Sequence, residues 1–256
     1  MSTMDKHFRN LSCIYNELRN TDLEPIILIC EKLQNRSNLK GADIGCGAGR
    51  YDLLLLKHLP ELHLICGDIN EAMIKETTCY LEQHGQKNFS THFIDASDLQ
   101  LPEGALDFVS TFNAIHHFEP IEFLNQACMA LKRGGYAFVY TRLKSQNTHN
   151  IWGRFFPGFI EKEDRLYDLS QIEKWSNKIE YLTLKAIHFF KFKRVLPLKV
   201  LVSQAGNKHY STFSLYTDDE FDKALKNFKQ KIENNFEDIE RVQWSDENVM
   251  ILFCKD

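Results

Sequence analysis

Between residues 39 and 142, short apolar runs alternate with longer stretches whose apolar positions recur every three or four residues. LKGADIG (39–45), LHLICGD (62–68), FSTHFID (89–95), ALDFVSTF (105–112) and YAFVYTR (136–142) have the length and apolar density of strands. Between them, YDLLLLKHL (51–59), NEAMIKETTCYLEQHG (70–85) and PIEFLNQACMALKRGG (120–135) read as helices. The second stops at Gly85; the third opens near Pro120 and closes on paired glycines. Strict alternation of strand and helix predicts right-handed βαβ units and a parallel sheet.

Past residue 142 that rhythm breaks. Residues 144–168 show little periodicity and several aromatics. LSQIEKWSNKI (169–179) predicts a helix and YLTLKAIHFFKFKRV (181–195) a long strand. DDEFDKALKNFKQKIENNF (218–236) predicts another helix, with Thr217 as its N-cap and Glu220 at capping-box spacing. ENVMILFCK (247–255) closes the chain as a strand. The expected fold class is α/β: a doubly wound, mostly parallel seven-stranded sheet with helices on both faces and a helical cap inserted at about residues 195–240. The chain reads as one domain over 1–256, with an N-terminal helical cover (1–36), a core (37–143) and a second half (144–256).

Composition narrows the classes of function. A hydrophobic fraction of 43% over 256 residues suffices for a sizeable core. The formal net charge of -4 argues against a dedicated nucleic-acid binder or an anionic membrane surface as partner. No apolar run is long enough to span a bilayer, and MSTMDKHFRNL has no apolar signal core. Seven dispersed cysteines, none in a C-x-x-C pair, suggest reduced thiols, a cytoplasmic location and no bound metal.

The candidate chemistry begins at GADIGCGAGR (41–50), which joins the first strand to the first helix, where an open α/β sheet builds its ligand site. The glycines allow positive φ and close approach of a ligand to the backbone. The spacing is not that of a dinucleotide fingerprint, since Arg50 stands three residues after Gly47, and no G-K-[ST] follows as in a P-loop. Asp43 would repel a phosphate and suits a ligand carrying an ammonium group. Asp68 ends the second strand 23 residues after Gly45, where a carboxylate takes ribose hydroxyls. Asp95 ends the third strand, where it can accept a hydrogen bond from an exocyclic amine. Ammonium, ribose and adenine together describe S-adenosylmethionine.

On these residues the chain resembles the class I S-adenosylmethionine-dependent methyltransferases that act on small molecules. DIGCGAG matches the glycine loop of the family, GDINEAMI its ribose segment and IDASDLQLP its adenine segment. DFVSTFNAIHHF matches the stretch after strand four, and LKRGGYAFV the turn into strand five. The resemblance covers roughly residues 8–143, with a weaker echo at 210–256, and implies a Rossmann-like fold and S-adenosylmethionine as cofactor. The cofactor-binding residues it implies are Asp43, Gly45, Cys46, Gly47, Asp68, Ile69, Asp95, Ala96, Asn113 and His116. Tyr15 and Arg19, one helical turn apart in FRNLSCIYNELR, would cover the cofactor and reach its carboxylate.

Several residues stay open between two readings. Asp98 caps a turn or contributes to the adenine site. His117 is the candidate proton acceptor, unless His116 and His117 only pack against cofactor and helix. Cys46 is a reactive thiol or a small residue facing the sheet, and capture of arsenite by the thiols lacks a close cysteine pair. HFFKFKR (188–194) is a nucleic-acid surface or a half-exposed strand; IWGRFFPGF (151–159) is an apolar substrate wall or a loop on the core. Tyr210, in HYSTFSLYTDDEF (209–221), is the candidate for orienting the acceptor. The expected partner is a small-molecule methyl acceptor, taken by a monomer or homodimer with no membrane. The alternatives are transfer to tRNA or protein, or a cofactor-binding subunit without transfer activity.

Overall fold

The computed structural model describes residues 21–256; Tyr15 and Arg19 lie outside them. These residues form two compact units. The larger comprises Thr21–Thr141, Leu169–His188 and Val249–Asp256; the smaller includes Arg142–Asp168 and Phe189–Asn248.

The larger unit opens with α1 (Glu24–Leu33), then alternates β1 (Lys40–Ile44), α2 (Arg50–His58), β2 (His63–Asp68), α3 (Glu71–Gln83), β3 (Phe89–Phe93), β4 (Leu106–Phe112), α4 (Pro120–Ala130) and β5 (Leu131–Thr141). The seven-stranded sheet has the order β3-β2-β1-β4-β5-β7-β6, where β6 is Leu182–Leu196 and β7 is Val242–Lys255. β1 to β5 pair in parallel, while β7 runs antiparallel to β5, from Tyr136↔Cys254 to Thr141↔Val249. β4 is buried along its whole length, as a central strand covered on both faces should be. The chain winds outward from β1 to β3 and returns to β4 on the other side of β1. The sheet therefore switches direction between β1 and β4, which opens a crevice at their carboxyl ends.

Two boundaries differ from the pattern in the sequence. The helix expected over 120–135 ends at Ala130, and Leu131 already pairs with Leu106 in the sheet. A register shift at Leu106/Phe108 and the positive φ of Gly134 carry the chain through KRGG as an irregular strand entry. The last strand begins at Val242 rather than 247.

The smaller unit has an aromatic core. After α5 (Lys144–Asn147), the stretch IWGRFFPGF forms α6 (Ile151–Phe155) and the start of α7 (Phe159–Lys162). Trp152, Phe156 and Phe159 are buried among Phe213, Phe221 and Phe228. Trp152 stacks on Phe228 with centroids 5.1 Å apart, and Phe156 meets Phe213 at 5.0 Å. This stretch is thus part of the core itself, built from short helices, rather than a loop laid on it. The region expected as a cap holds α9 (Leu198–Gly206) and α10 (Asp218–Asn235), whose capping box is formed: Thr217 Oγ1 accepts from the Glu220 amide, and Glu220 Oε2 accepts from the Thr217 amide. HFFKFKR lies in β6, where buried or half-buried positions interleave with exposed Phe189, Lys191 and Lys193, the pattern of a half-exposed strand. The helix expected over 169–179 is α8 (Leu169–Ser176), in the larger unit.

Candidate functional site

The carboxyl ends of β1, β2 and β4 converge on the glycine loop. Gly45, Gly47 and Gly49 all have positive φ (74°, 56° and 79°). Gly45 is required by space as well: a Cβ there would sit 2.5 Å from the Ala114 side chain. A Cβ on Gly47 would meet nothing within 4 Å, so the backbone at that point faces open space. The loop is tied down from both sides. Gly45 and Cys46 donate their amides to the Gly67 carbonyl (2.8 and 3.1 Å), and the Thr77 hydroxyl of α3 donates to the Gly47 carbonyl.

Asp68 is the hinge of this arrangement. Its Oδ2 accepts from the Gly47 amide and its Oδ1 from the Asn70 amide, both at 2.9 Å. Asn70 in turn caps α3, accepting from the amides of Ala72 and Met73. Each carboxylate oxygen keeps a second lone pair, so the carboxylate can hold the loop and still accept two further hydrogen bonds. Beside it, Ile69 is 60% exposed, and Phe93, paired with Asp68 in the sheet, is 63% exposed. Large apolar side chains left open next to an acid suit a flat apolar ring.

The other acids are arranged differently. Asp43 is 1% exposed, and its Oδ1 accepts from the Ser110 hydroxyl at 2.8 Å. Burial, the nearby Asp52 charge and then Asp68 raise its pKa well above the usual carboxylate value, against the Ser110 hydrogen bond. Asp95 caps its own turn: Oδ1 accepts from the Ser97 amide and hydroxyl at 2.9 and 2.8 Å, and those bonds lower its pKa. Ala96, the next residue, is buried. Asp98 accepts from Gln100 at 2.9 Å.

At the end of β4, Asn113 has φ 55°, an unusual value for a residue with a side chain, and its amide donates to the Tyr140 carbonyl at 2.7 Å. The 3-10 turn Ile115–His117 follows. The His116 and His117 rings lie 4.2 Å apart; His116 is half-buried and His117 exposed. Cys46 is half-buried, with Sγ 3.8 Å from Thr77 Oγ1. Burial above all, with the carboxylates around it, raises its thiol pKa well above the ordinary value, which suits a neutral packed thiol rather than a nucleophile.

Residues 42–135 match the family model of the methyltransferase domain. This segment is a class I methyltransferase domain. The strand order, with an antiparallel seventh strand, agrees with it. The domain is that of a methyltransferase. The chain is similar to the methyltransferase tpcH of Aspergillus fumigatus, 26% identical over 110 residues that make up 41% of this chain and 39% of that protein's length. Among solved structures it shares its fold with a putative methyltransferase from an antibiotic biosynthesis pathway of Anabaena variabilis (18% identity, TM-score 0.68, covering 91% of this chain and 98% of that one). It also shares it with phosphoethanolamine N-methyltransferase 2 of Haemonchus contortus, solved with S-adenosyl-L-methionine (14%, TM-score 0.57, 91% and 52%).

The donor set of the methyltransferase domain fits that cofactor: an open backbone at Gly47, a carboxylate with spare lone pairs at Asp68, and exposed apolar groups beside it. In the smaller unit, the Tyr210 hydroxyl lies 3.5 Å from Arg142 Nη2, its ring 5.6 Å from the guanidinium carbon and 4.4 Å from the His209 ring. Sequence reasoning passed over two residues under the glycine loop, Thr77 and Asp52. For Asp52 a signal exists: positions 52, 55 and 56 share one face of α2, and all three are buried. A carboxylate on that face is an acid in the core.

Proposed function

We propose that this protein transfers a methyl group from S-adenosylmethionine to a small-molecule acceptor at O, N, C or S. The observation that carries the reading is the joint built by Asp68, which ties the glycine loop to the end of β2 while keeping lone pairs for a ligand. In this reading Gly45, Cys46 and Gly47 lie against the amino-acid end of the cofactor, Asp68 accepts its ribose hydroxyls, and Ile69, Ala96 and Asp95 line the adenine. Asn113 and His116 close the β4 side. Asp43, being buried, acts on the cofactor's positive charge through its field rather than by contact.

When bound, the sulfonium supplies an activated methyl group with a neutral leaving sulfide. What remains for the chain is to align an acceptor and exclude water, a contribution of roughly 7–11 kcal/mol. In this reading His117, exposed on its 3-10 turn, takes the proton of an acceptor that arrives protonated. Tyr210 orients the acceptor through its hydroxyl, on a wall made partly of aromatic rings. The Anabaena and Haemonchus proteins carry names that point to small acceptors, in keeping with this choice. The net charge of -4 favours it over tRNA.

The test is calorimetric titration with S-adenosylmethionine, then a turnover screen that counts S-adenosylhomocysteine formed with pooled metabolites and with bulk tRNA. Micromolar binding and turnover with metabolites are expected. Binding of neither ligand refutes the cofactor site; turnover with tRNA alone refutes the acceptor class.

A further inference from the structure

A buried carboxylate in the smaller unit has no part in the chemistry proposed above. Glu163 is 4% exposed and directly follows α7. Its amide donates to the Phe159 and Ile160 carbonyls, each at 3.2 Å, so the short helix fixes its backbone. Its two carboxylate oxygens accept from Nε and Nη2 of Arg165, at 2.9 and 2.6 Å. A two-pronged pair of this kind fixes the orientation of both groups. Two consecutive residues of the 3-10 turn Ser211–Leu215 hang on the two halves of the pair. Ser211 Oγ accepts from Arg165 Nη2 at 3.1 Å, and the buried Thr212 hydroxyl donates to Glu163 Oε2. Lys162 reaches the far end of the turn, at the Leu215 carbonyl (3.2 Å), but its carboxylate partner Glu220 is exposed, where an ion pair holds weakly. The residue that enters this turn is Tyr210, whose carbonyl accepts the Phe213 amide at 3.0 Å. α7 also supplies Phe159, whose ring lies 6.1 Å from the Tyr210 ring. On the other side stands Arg142, bound to the Glu247 carbonyl and the Asp246 carboxylate, with Nη2 3.5 Å from the phenol oxygen. A phenol has two side-chain dihedrals to settle, so a fixed backbone and a fixed ring wall place its oxygen.

We propose that Glu163 is a positioning residue of the methyl transfer: through Arg165 and the Thr212 hydroxyl it fixes the turn that aims Tyr210 at the acceptor, which rests on the reading of Tyr210 as the residue that orients the acceptor. Glu163 acts through Tyr210 and touches neither acceptor nor donor. Glutamine at this position keeps the shape of the side chain. Whichever way its amide turns, however, the NH2 faces an N–H of Arg165, so the pair opens without leaving a cavity. The Tyr210 phenol then keeps its oxygen but loses the fixed backbone that directs it.

The experiment is a double-variant cycle on the full chain with Glu163→Gln and Tyr210→Phe. The readings are S-adenosylhomocysteine formed against dilutions of the metabolite pool at saturating S-adenosylmethionine, and the donor Kd by calorimetry. Glu163→Gln alone is expected to raise the half-saturating pool strength, or lower the maximal rate, by about tenfold, with the donor Kd unchanged. In the Tyr210→Phe background the same substitution is expected to add nothing, because its effect passes through the phenol. Thr212→Val removes the hydroxyl tie alone and is expected to show the same dependence on Tyr210, while Thr212→Ser keeps the hydroxyl and the wild-type kinetics. The threonine variants carry the test if Glu163→Gln does not fold. Losses that multiply in the double variants, or that fall equally on the donor Kd, make the pair a structural clamp and overturn the inference while leaving the role of Tyr210 intact. Unchanged kinetics in Tyr210→Phe itself overturn the reading of Tyr210 and the inference with it. Failure of the wild type to turn over the pool overturns the proposed acceptor class and both.

Discussion

The Gly47 amide donates to Asp68 Oδ2 at 2.9 Å, so the most open point of the glycine loop hangs on the carboxylate that ends β2. Loop shape and ligand contact are therefore not separable at this residue. Replacing Asp68 with alanine should remove two charge-assisted hydrogen bonds to ribose, each worth roughly 1.5–3 kcal/mol, and free the loop as well. Cofactor affinity should fall by at least about a hundredfold, with the thermal transition still cooperative. Calorimetry showing wild-type affinity would remove Asp68 from the site.

Gly47→Val separates space from strain. The φ of 56° disfavours any branched side chain, at a cost of about 1–2 kcal/mol, but nothing in the protein obstructs the new atoms. The variant should fold with a modestly lower melting temperature and lose cofactor binding. Normal folding together with normal binding would show that no ligand lies against the loop.

Tyr210→Phe addresses the acceptor. The contact with Arg142 is long, at 3.5 Å, and the ring's packing against Phe159, His209 and Phe213 is unaffected by loss of the oxygen. Stability and S-adenosylmethionine affinity should change little, while the acceptor KM rises or kcat falls. Equal losses in cofactor affinity and acceptor kinetics would make Tyr210 a structural residue only.

Asp52 also makes a stability prediction. Its folded-state pKa, pushed up to about 7 by burial, lies above that of an exposed aspartate near 3.9. The folded protein thus holds a proton that the unfolded chain has released. The associated stability is complete below about pH 4 and is lost as pH rises through about 7. Melting temperatures of wild type and Asp52→Asn, measured from pH 5 to 8.5, should diverge in favour of the variant as pH rises. The absolute offset depends on how the amide packs, so the difference in slope is the test. Parallel curves would mean that Asp52 is ionised throughout.

Much of the methyltransferase core could be read from local pattern. The order of β1 to β5, the capping box of Thr217 and Glu220, and the cleft-side position of Asp68 all follow from periodicity and spacing over fewer than about thirty residues. Where reading failed, the missing information was non-local. The end of α4 at Ala130 depends on Leu131 finding Leu106 on β4. The aromatics at 151–159 have no period to disclose them, because they pack as separate short turns against α10 and residues 211–215.

The sequence by itself determined the alternation of strand and helix, the glycine loop that opens the sheet, and the acids that end β1 and β2, since each is written in short-range spacing that a backbone of fixed period must obey. Only the tertiary structure decided which of those acids faces outward. Asp43 and Asp52 are drawn into the core beside Cys66 and Ser110, whereas Asp68 turns onto the loop amides and keeps lone pairs for a ligand. A carboxylate's chemistry depends on its solvation and on the charges around it, and those are set by residues that the chain brings together from 43, 52, 66, 68 and 110, not by any neighbour in sequence.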